Sequence, residues 1–413
     1  MPFSERDRAI VRELASQVAQ IAALPVQQQT IEAWKALNRL EPVRPMVTID
    51  QVCWHEMDVD GELTLKSEDP FCQGLERRLR RTLYGWRHMP VDMVVHPWIE
   101  VGRAVGGMDF GMRIEEERAV LDPANGVVGH LYLDQLATED DLEKIRPPEV
   151  REDAAATARS LEQTTELLDG LLDVRLQGVL PGFAPWDRIS MWRGVEHLLY
   201  DLVDRPEFTH QIIGRVTDFM LDMLDQLEEQ GLLGSGQSLI HCSGAHTDEL
   251  PAAGFDPEHS RPLDLWTSGM AQIFSSVGPD MHQEFELDYA NRWYERFGLV
   301  YYGCCEPLDD KIDIIRNTPK VRKISMSPWV DVEKGAERIG GDFVFSRKPS
   351  PAFLAVDDWS AEAVEADLRQ TLEACRRYDT PCEFILKDIS TVRYEPQRLW
   401  EWAEVATKVV DAA

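Results

Sequence analysis

Residues 298–310 read GLVYYGCCEPLDD, an apolar run that ends on a glycine and delivers two adjacent cysteines and a glutamate. Thiol, imidazole and carboxyl groups gathered at the end of a buried strand are the types that hold a divalent metal or carry nucleophilic and acid–base chemistry. Other apolar runs deliver similar groups. Trp54, His55 and Glu56 follow RPMVTID (44–50), and His96 and Trp98 lie in VDMVVHPWIE (91–100). His241 and Cys242 end QSLIHC (237–242), and PDMHQEF adds His282 and Glu284. Trp329 follows RKISMS (322–327), Arg347 and Lys348 follow DFVFS (342–346), and Lys387 and Asp388 close EFILKD (383–388).

Adjacent cysteines splay their side chains and do not form an ordinary disulfide. Cys304 and Cys305 therefore read as metal ligands, or as one buried cysteine beside a reactive neighbour. Catalytic zinc takes three protein ligands and leaves a position open. The candidates are His241, Cys242, His282, Glu284, Cys304, Cys305 and Glu306, with His241, Glu284, Cys304 and Cys305 the preferred set. Glu56, His55 and Asp388 are the candidate proton-transfer groups. Trp54, His96, Trp329, Lys348 and Lys387 are the candidate substrate contacts.

Eight strand-like runs are needed to bring these residues together: the six named above with 298–303, together with VRLQGVLPG (174–182). Most are short and apolar, as expected of strands buried on both faces. Amphipathic segments lie between them. The stretch 193–231 has apolar residues three and four apart and breaks at Pro206, and 361–378 follows Ser360 as N-cap. Strands alternating with helices, without a Gly-rich dinucleotide turn after the first, predict an α/β protein of the (β/α)8 TIM-barrel type with the reactive residues at the C-terminal strand ends. One domain spans 1–413, with a helical N-terminal extension over 1–42 and an inserted lid over 101–173 that contains a small hairpin.

The chain has 413 residues, 44% of them hydrophobic, enough for a large core. With 43 basic against 73 acidic residues the formal charge is −30, which opposes binding to nucleic acid or to an anionic membrane surface. The N-terminus is charged from Ser4-Glu5 onward, no run of about 18 apolar residues occurs, and the seven cysteines form no regular framework. These features predict a cytoplasmic location with reduced thiols. The tryptophan-rich surface would suit a homodimer.

The C-terminal half, with FGLVYYGCCEPLDDKIDIIRN, KISMSPWVDVEKGAERIGGDFVFSRKPSP and EFILKDIST followed by EPQRLWEW, resembles the uroporphyrinogen decarboxylase superfamily. That superfamily contains barrels that decarboxylate a tetrapyrrole without a cofactor and barrels that transfer methyl groups with zinc. True decarboxylases carry an arginine-rich element after the first strand, where this chain reads QVCWHEM. The resemblance is thus closer to the zinc- and corrinoid-dependent methyltransferase branch, which places a thiolate at the end of the fifth strand, as Cys304 and Cys305 are placed. It implies a glutamate before that strand, a place matched by Glu284 or Glu286, and a later cysteine that has no counterpart here, leaving His241 to supply the missing arm. The expected function is zinc-dependent demethylation of a small substrate, including an aromatic O-methyl compound, with the methyl passed to a corrinoid protein or another acceptor. The competing expectation is a metal-free decarboxylase or lyase of a small carboxylate, with Lys348, Lys387 or Arg347 as anchor and Asp388 or His55 handling the proton.

Overall fold

The computed structural model describes residues 3–58, 60–120, 123 and 128–413. Eight strands recur in parallel along the chain: β1 (Met46–Ile49), β2 (Trp98–Gly102), β3 (Asp173–Gln177), β4 (Trp266–Gly269), β5 (Leu299–Tyr302), β6 (Val321–Met326), β7 (Val344–Arg347) and β8 (Cys382–Leu386). Six of them form one curled half-barrel sheet in the order β1-β8-β7-β6-β5-β4. β2 and β3 pair with each other over Trp98–Gly102 and Asp173–Gln177 as a separate parallel ribbon. A single bridge, Phe183 to Gly269, ties the segment after β3 to β4. No strand ladder joins β1 to β2 among the described residues, so the expected closed barrel is seen as an α/β half barrel with an adjoining ribbon.

The β5, β7 and β8 residues are buried throughout, as the apolar runs require of strands covered by helices on one face and by barrel contents on the other. The helices follow their punctuation. The stretch read as one broken helix becomes Val195–Asp204 and Pro206–Glu229, with Pro206 at the first helical position. Ser360 caps Ala361–Arg377 by accepting a 3.1 Å hydrogen bond from the Ala363 amide.

One expected strand is not a barrel strand. Residues 239–240 and 243–244 form a two-stranded hairpin, with His241 (φ 45°) and Cys242 (φ 69°) as its turn. Two positive φ values at the central positions of a two-residue turn match the twist of the flanking strands, but glycine or asparagine is the usual occupant. Without either residue to mark the bend, the sequence reads straight through it. The fourth parallel strand is instead β4, carried by the short stretch WTSG.

The hairpin occupies the opening between the edge strands of the half barrel. Thr48 on β1 donates a 2.7 Å hydrogen bond to the Cys242 carbonyl, and Trp266 Nε1 on β4 donates a 3.0 Å bond to the Ala245 carbonyl. Inside, Lys323 Nζ lies 2.9 Å from Glu383 Oε2, and both side chains are completely buried. Ser243 Oγ receives a 2.6 Å bond from Lys323 and donates a 2.8 Å bond to Glu383, and the Gly244 carbonyl receives another from Lys323. These residues sit at the N-terminal ends of β6 and β8.

The first two helices are α1 (Glu5–Ala22) and α2 (Pro25–Asn38). Asn38 Nδ2 donates to the Gly244 and His246 carbonyls, so α2 covers the hairpin at the end opposite Cys304. Between β2 and β3, Glu116–Ala119 pairs antiparallel with Gly129–Tyr132, and part of the stretch connecting them lies outside the described residues. No helix among the described residues is long and apolar enough to cross a membrane.

Candidate active site at the C-terminal strand ends

The chain leaves β5 through Gly303, whose φ of 91° suits glycine. A Cβ there would lie 2.4 Å from Leu308 Cδ1, so space as well as conformation requires this residue. The turn places Cys304, only 4% exposed, against the C-terminal ends of the neighbouring strands. Glu306 clips the turn in place: its fully buried carboxylate accepts bonds of 2.9 Å from the Cys304 amide and 3.2 Å from the Ala271 amide beyond β4. Ser325 on β6 donates a 2.5 Å bond to the Cys304 carbonyl. The buried Lys348 ammonium in turn donates to Ser325 Oγ at 2.5 Å and to the Tyr301 hydroxyl at 2.6 Å.

At the sulfur, Lys387 Nζ approaches Cys304 Sγ to 3.3 Å, and Cys305 Sγ lies 3.5 Å away. Cys305 also reaches Asp388 Oδ2 at 3.8 Å, and Asp388 stands 3.5 Å from Lys387. A hydrogen bond from Cys305, opposed by burial and reinforced by His241 and Lys387, holds Cys304 well below the usual thiol range. The same contact, with burial and the Asp388 charge, pushes Cys305 far above it. These opposite shifts make Cys304, and not Cys305, the thiolate-forming member of the pair. Burial opposes the Lys387 charge, but Cys304 and Asp388 outweigh it and raise Lys387 above the ordinary lysine range. Lys348, lacking so close a counter-charge, is pushed down to about 8 by burial.

His241 stands beside this group, its ring centroid 5.2 Å from that of Tyr301. Burial lowers its pKa against the favourable influence of Cys304, and its Nε2 is buried without a hydrogen-bond partner. Thus the structure brings Cys304, Cys305, His241, Lys348, Lys387 and Asp388 together, with His241 supplied by a hairpin turn and not by a barrel strand.

The other expected residues lie apart. Glu284 is on an outer helical turn, 54% exposed and 3.1 Å from His210, so it does not join the cysteines. The turn that carries it, Gln283–Leu287, is π-helical and directs Glu286, not Glu284, into the core. His282 is consumed by Tyr302 at 2.6 Å and Lys311 at 3.0 Å. Glu56 Oε2 accepts bonds from Thr391 Oγ1, the Val392 amide and the Tyr394 amide, which makes it an anchor for the loop after β8. His55 lies 3.5 Å from Glu56. Trp329 is 74% exposed on the surface. Trp54, His96 and Cys242 line a separate cavity beside β1. Burial, with Asp50 nearby, pushes the Cys242 thiol up to about 12.

Two thiols and an unpartnered imidazole form a donor set of the kind zinc takes. Among the described residues, however, no three His, Cys, Asp or Glu side chains converge to hold a metal ion, and Lys387 already neutralises Cys304.

The supporting residues Ser325 and Tyr301 were missed in the residue-type reading. The signal was present in the period-two row Lys323, Ser325 and Ser327, which sets polar groups on the inner face of a strand otherwise made of Ile324 and Met326.

No protein-family model and no curated protein matches the chain. Among solved structures, a methyltransferase from Methanosarcina mazei is similar, with a TM-score of 0.50 over 93% of this chain and 98% of that one, at 12% sequence identity. That is a likeness of fold.

Proposed function

We propose that the chain is a methyltransferase whose reaction is centred on Cys304. The observation that carries this reading is the buried Cys304 sulfur, 3.3 Å from Lys387 Nζ, at the C-terminal strand ends of a fold shared with a methyltransferase. In the direct form of the reaction the Cys304 electron pair attacks the substrate methyl carbon. The carbon–heteroatom bond breaks with its pair going to the heteroatom, and the buried Lys348, its pKa lowered to about 8, is the proposed source of the proton. The methyl then passes to an acceptor, for which a corrinoid on a separate protein is the expected partner.

A zinc-dependent form would draw on Cys304, Cys305 and His241 as donors, with Lewis-acid activation of the leaving group as the chemistry zinc supplies. Among the described residues these side chains do not converge on a metal position, so the direct form carries the proposal. Metal content of wild type, Cys304→Ser and Cys305→Ser under reducing, zinc-replete conditions separates the two forms. Methyl transfer from labelled small methyl donors tests the reading itself: Cys304→Ser should lose at least about a hundredfold in rate, and full activity in that variant would overturn it.

The second reading is a decarboxylase or lyase. It is favoured by the convergence of two buried ammonium groups, Lys348 and Lys387, which would hold a carboxylate. Release of carbon dioxide without methyl transfer would select it.

A further inference from the structure

Where β1 and β2 fail to pair, the fold leaves a cavity of about 320 Å³. It runs along β1 past Thr48 and Asp50, and Trp34 from α2, Trp54 and Cys242 of the hairpin also line it. Its volume lies at the lower end of the range for small-molecule sites, enough for one ring with a substituent.

Its polar groups are unusual. His96 and His246 both line it, their rings 5.5 Å apart, and His96 Nε2 is buried without a hydrogen-bond partner. Burial, aided by neighbouring positive charge, lowers both imidazoles to about 4, so both are uncharged at neutral pH. An unpartnered buried nitrogen forfeits hydrogen-bond energy that a ligand can restore. The formal charges at the walls do not favour an ion. Asp92 is committed to Arg44 at 2.6 and 3.0 Å, and the Arg81 guanidinium lies 5.0 Å above the Trp54 ring, with Asp50 on the same wall. Asp50 and Arg81 line the cavity with one charge of each sign, and the uncharged imidazoles themselves offer an ion no counter-charge beside them.

We propose that this seam cavity is a binding site for a small, uncharged, hydroxyl-bearing single-ring aromatic molecule, its ring against Trp54 and its hydroxyl on His96. Aromatic walls supply ring contact, and the neutral imidazole exchanges a hydrogen bond with the hydroxyl whichever nitrogen carries the proton. Cys242 connects the site to the proposed reaction centre, because His241, the next residue of the turn, stands beside Cys304. The inference goes beyond the methyl-transfer reading and does not depend on it, since binding is measured without turnover.

The test titrates the full chain with phenol, following tryptophan fluorescence and heat, against benzoate, benzylammonium and toluene. Saturable phenol binding, at least about tenfold tighter than the other three, is expected. His96→Leu should reduce phenol to the affinity of toluene, His96→Gln should restore part of the difference, and Trp54→Ala should weaken all the aromatic probes. Thermal melts confirm that each variant is folded. Absence of saturable phenol binding to wild type, equal affinities for phenol and toluene, or preference for a charged probe would each overturn the proposal.

Discussion

A cysteine thiol becomes a nucleophile only when its thiolate is stabilised, and at Cys304 that stabilisation comes from three neighbours that the linear order does not place together. Cys305 is adjacent, His241 comes from the hairpin and Lys387 from the end of β8. In metal-free protein, Cys304 should be alkylated at pH values where ordinary thiols remain protonated. Lys387→Met removes a stabilising charge, raises the thiol pKa and should slow alkylation below neutral pH by about tenfold or more. An unchanged pH–rate profile would show that Lys387 does not hold the thiolate. At Glu56 the expected proton-transfer role meets a carboxylate that accepts two backbone amides and a hydroxyl. Glu56→Ala should lower unfolding stability by about 2–3 kcal/mol, because it orphans buried donors. Loss of turnover with no change in denaturation midpoint would instead support the acid role.

The hairpin that carries His241 decides which side chains can meet, and its position depends on two close contacts. Gly244 packs on Trp34, where an added Cβ would lie 2.3 Å from the ring. Trp34 is only 1% exposed and donates from Nε1 to the Asp92 carbonyl at 3.0 Å, so it cannot move aside freely. Gly244→Ala should cost about 1–3 kcal/mol, measured by denaturant unfolding. A neutral result would mean that α2 is not firmly seated on the hairpin. The second contact is the Lys323–Glu383 pair with Ser243 between its members. Glu383→Ala leaves an uncompensated buried ammonium and should destabilise the protein by about 3–5 kcal/mol. Substituting both partners with apolar residues of similar volume should recover much of that loss, which distinguishes a buried-charge effect from a lost contact.

Over the whole molecule, two buried carboxyl groups set opposite pH dependences. Burial alone would raise the Glu76 pKa, but hydrogen bonds from Ser67, Arg80 and the Lys66 amide outweigh it and lower the value. Its stabilisation is therefore present above the ordinary carboxylate range and is lost as pH falls through the lowered value. Glu286 is displaced upward by complete burial and by Glu306 and Asp187, which together outweigh the opposing influence of Tyr302. Its contribution is present below the ordinary range and is lost as pH rises through the raised value. Glu286→Gln should flatten the alkaline side of a stability–pH curve, and Glu76→Gln the acidic side. Superimposable curves for wild type and both variants would refute these assignments.

Buried-strand runs, helix punctuation and the reactive residues at strand ends were legible in the sequence because each depends on local periodicity or on a neighbour within a few positions. Seven of the eight parallel strands and the Ser360 cap are of this kind. The turn at His241 and Cys242 was not legible, because its positive φ values are imposed by the opening that the hairpin fills and not by a turn-forming residue. Nor was the direction of Glu284, since a single π-helical turn rotates the helix and exchanges Glu284 for Glu286 on the inner face. The separation of β1 from β2, and with it the seam cavity, is likewise a property of tertiary packing. Residue types determined which chemistry the chain could carry; three-dimensional proximity decided that Lys387 and His241, and not Glu284, stand beside the Cys304 thiolate.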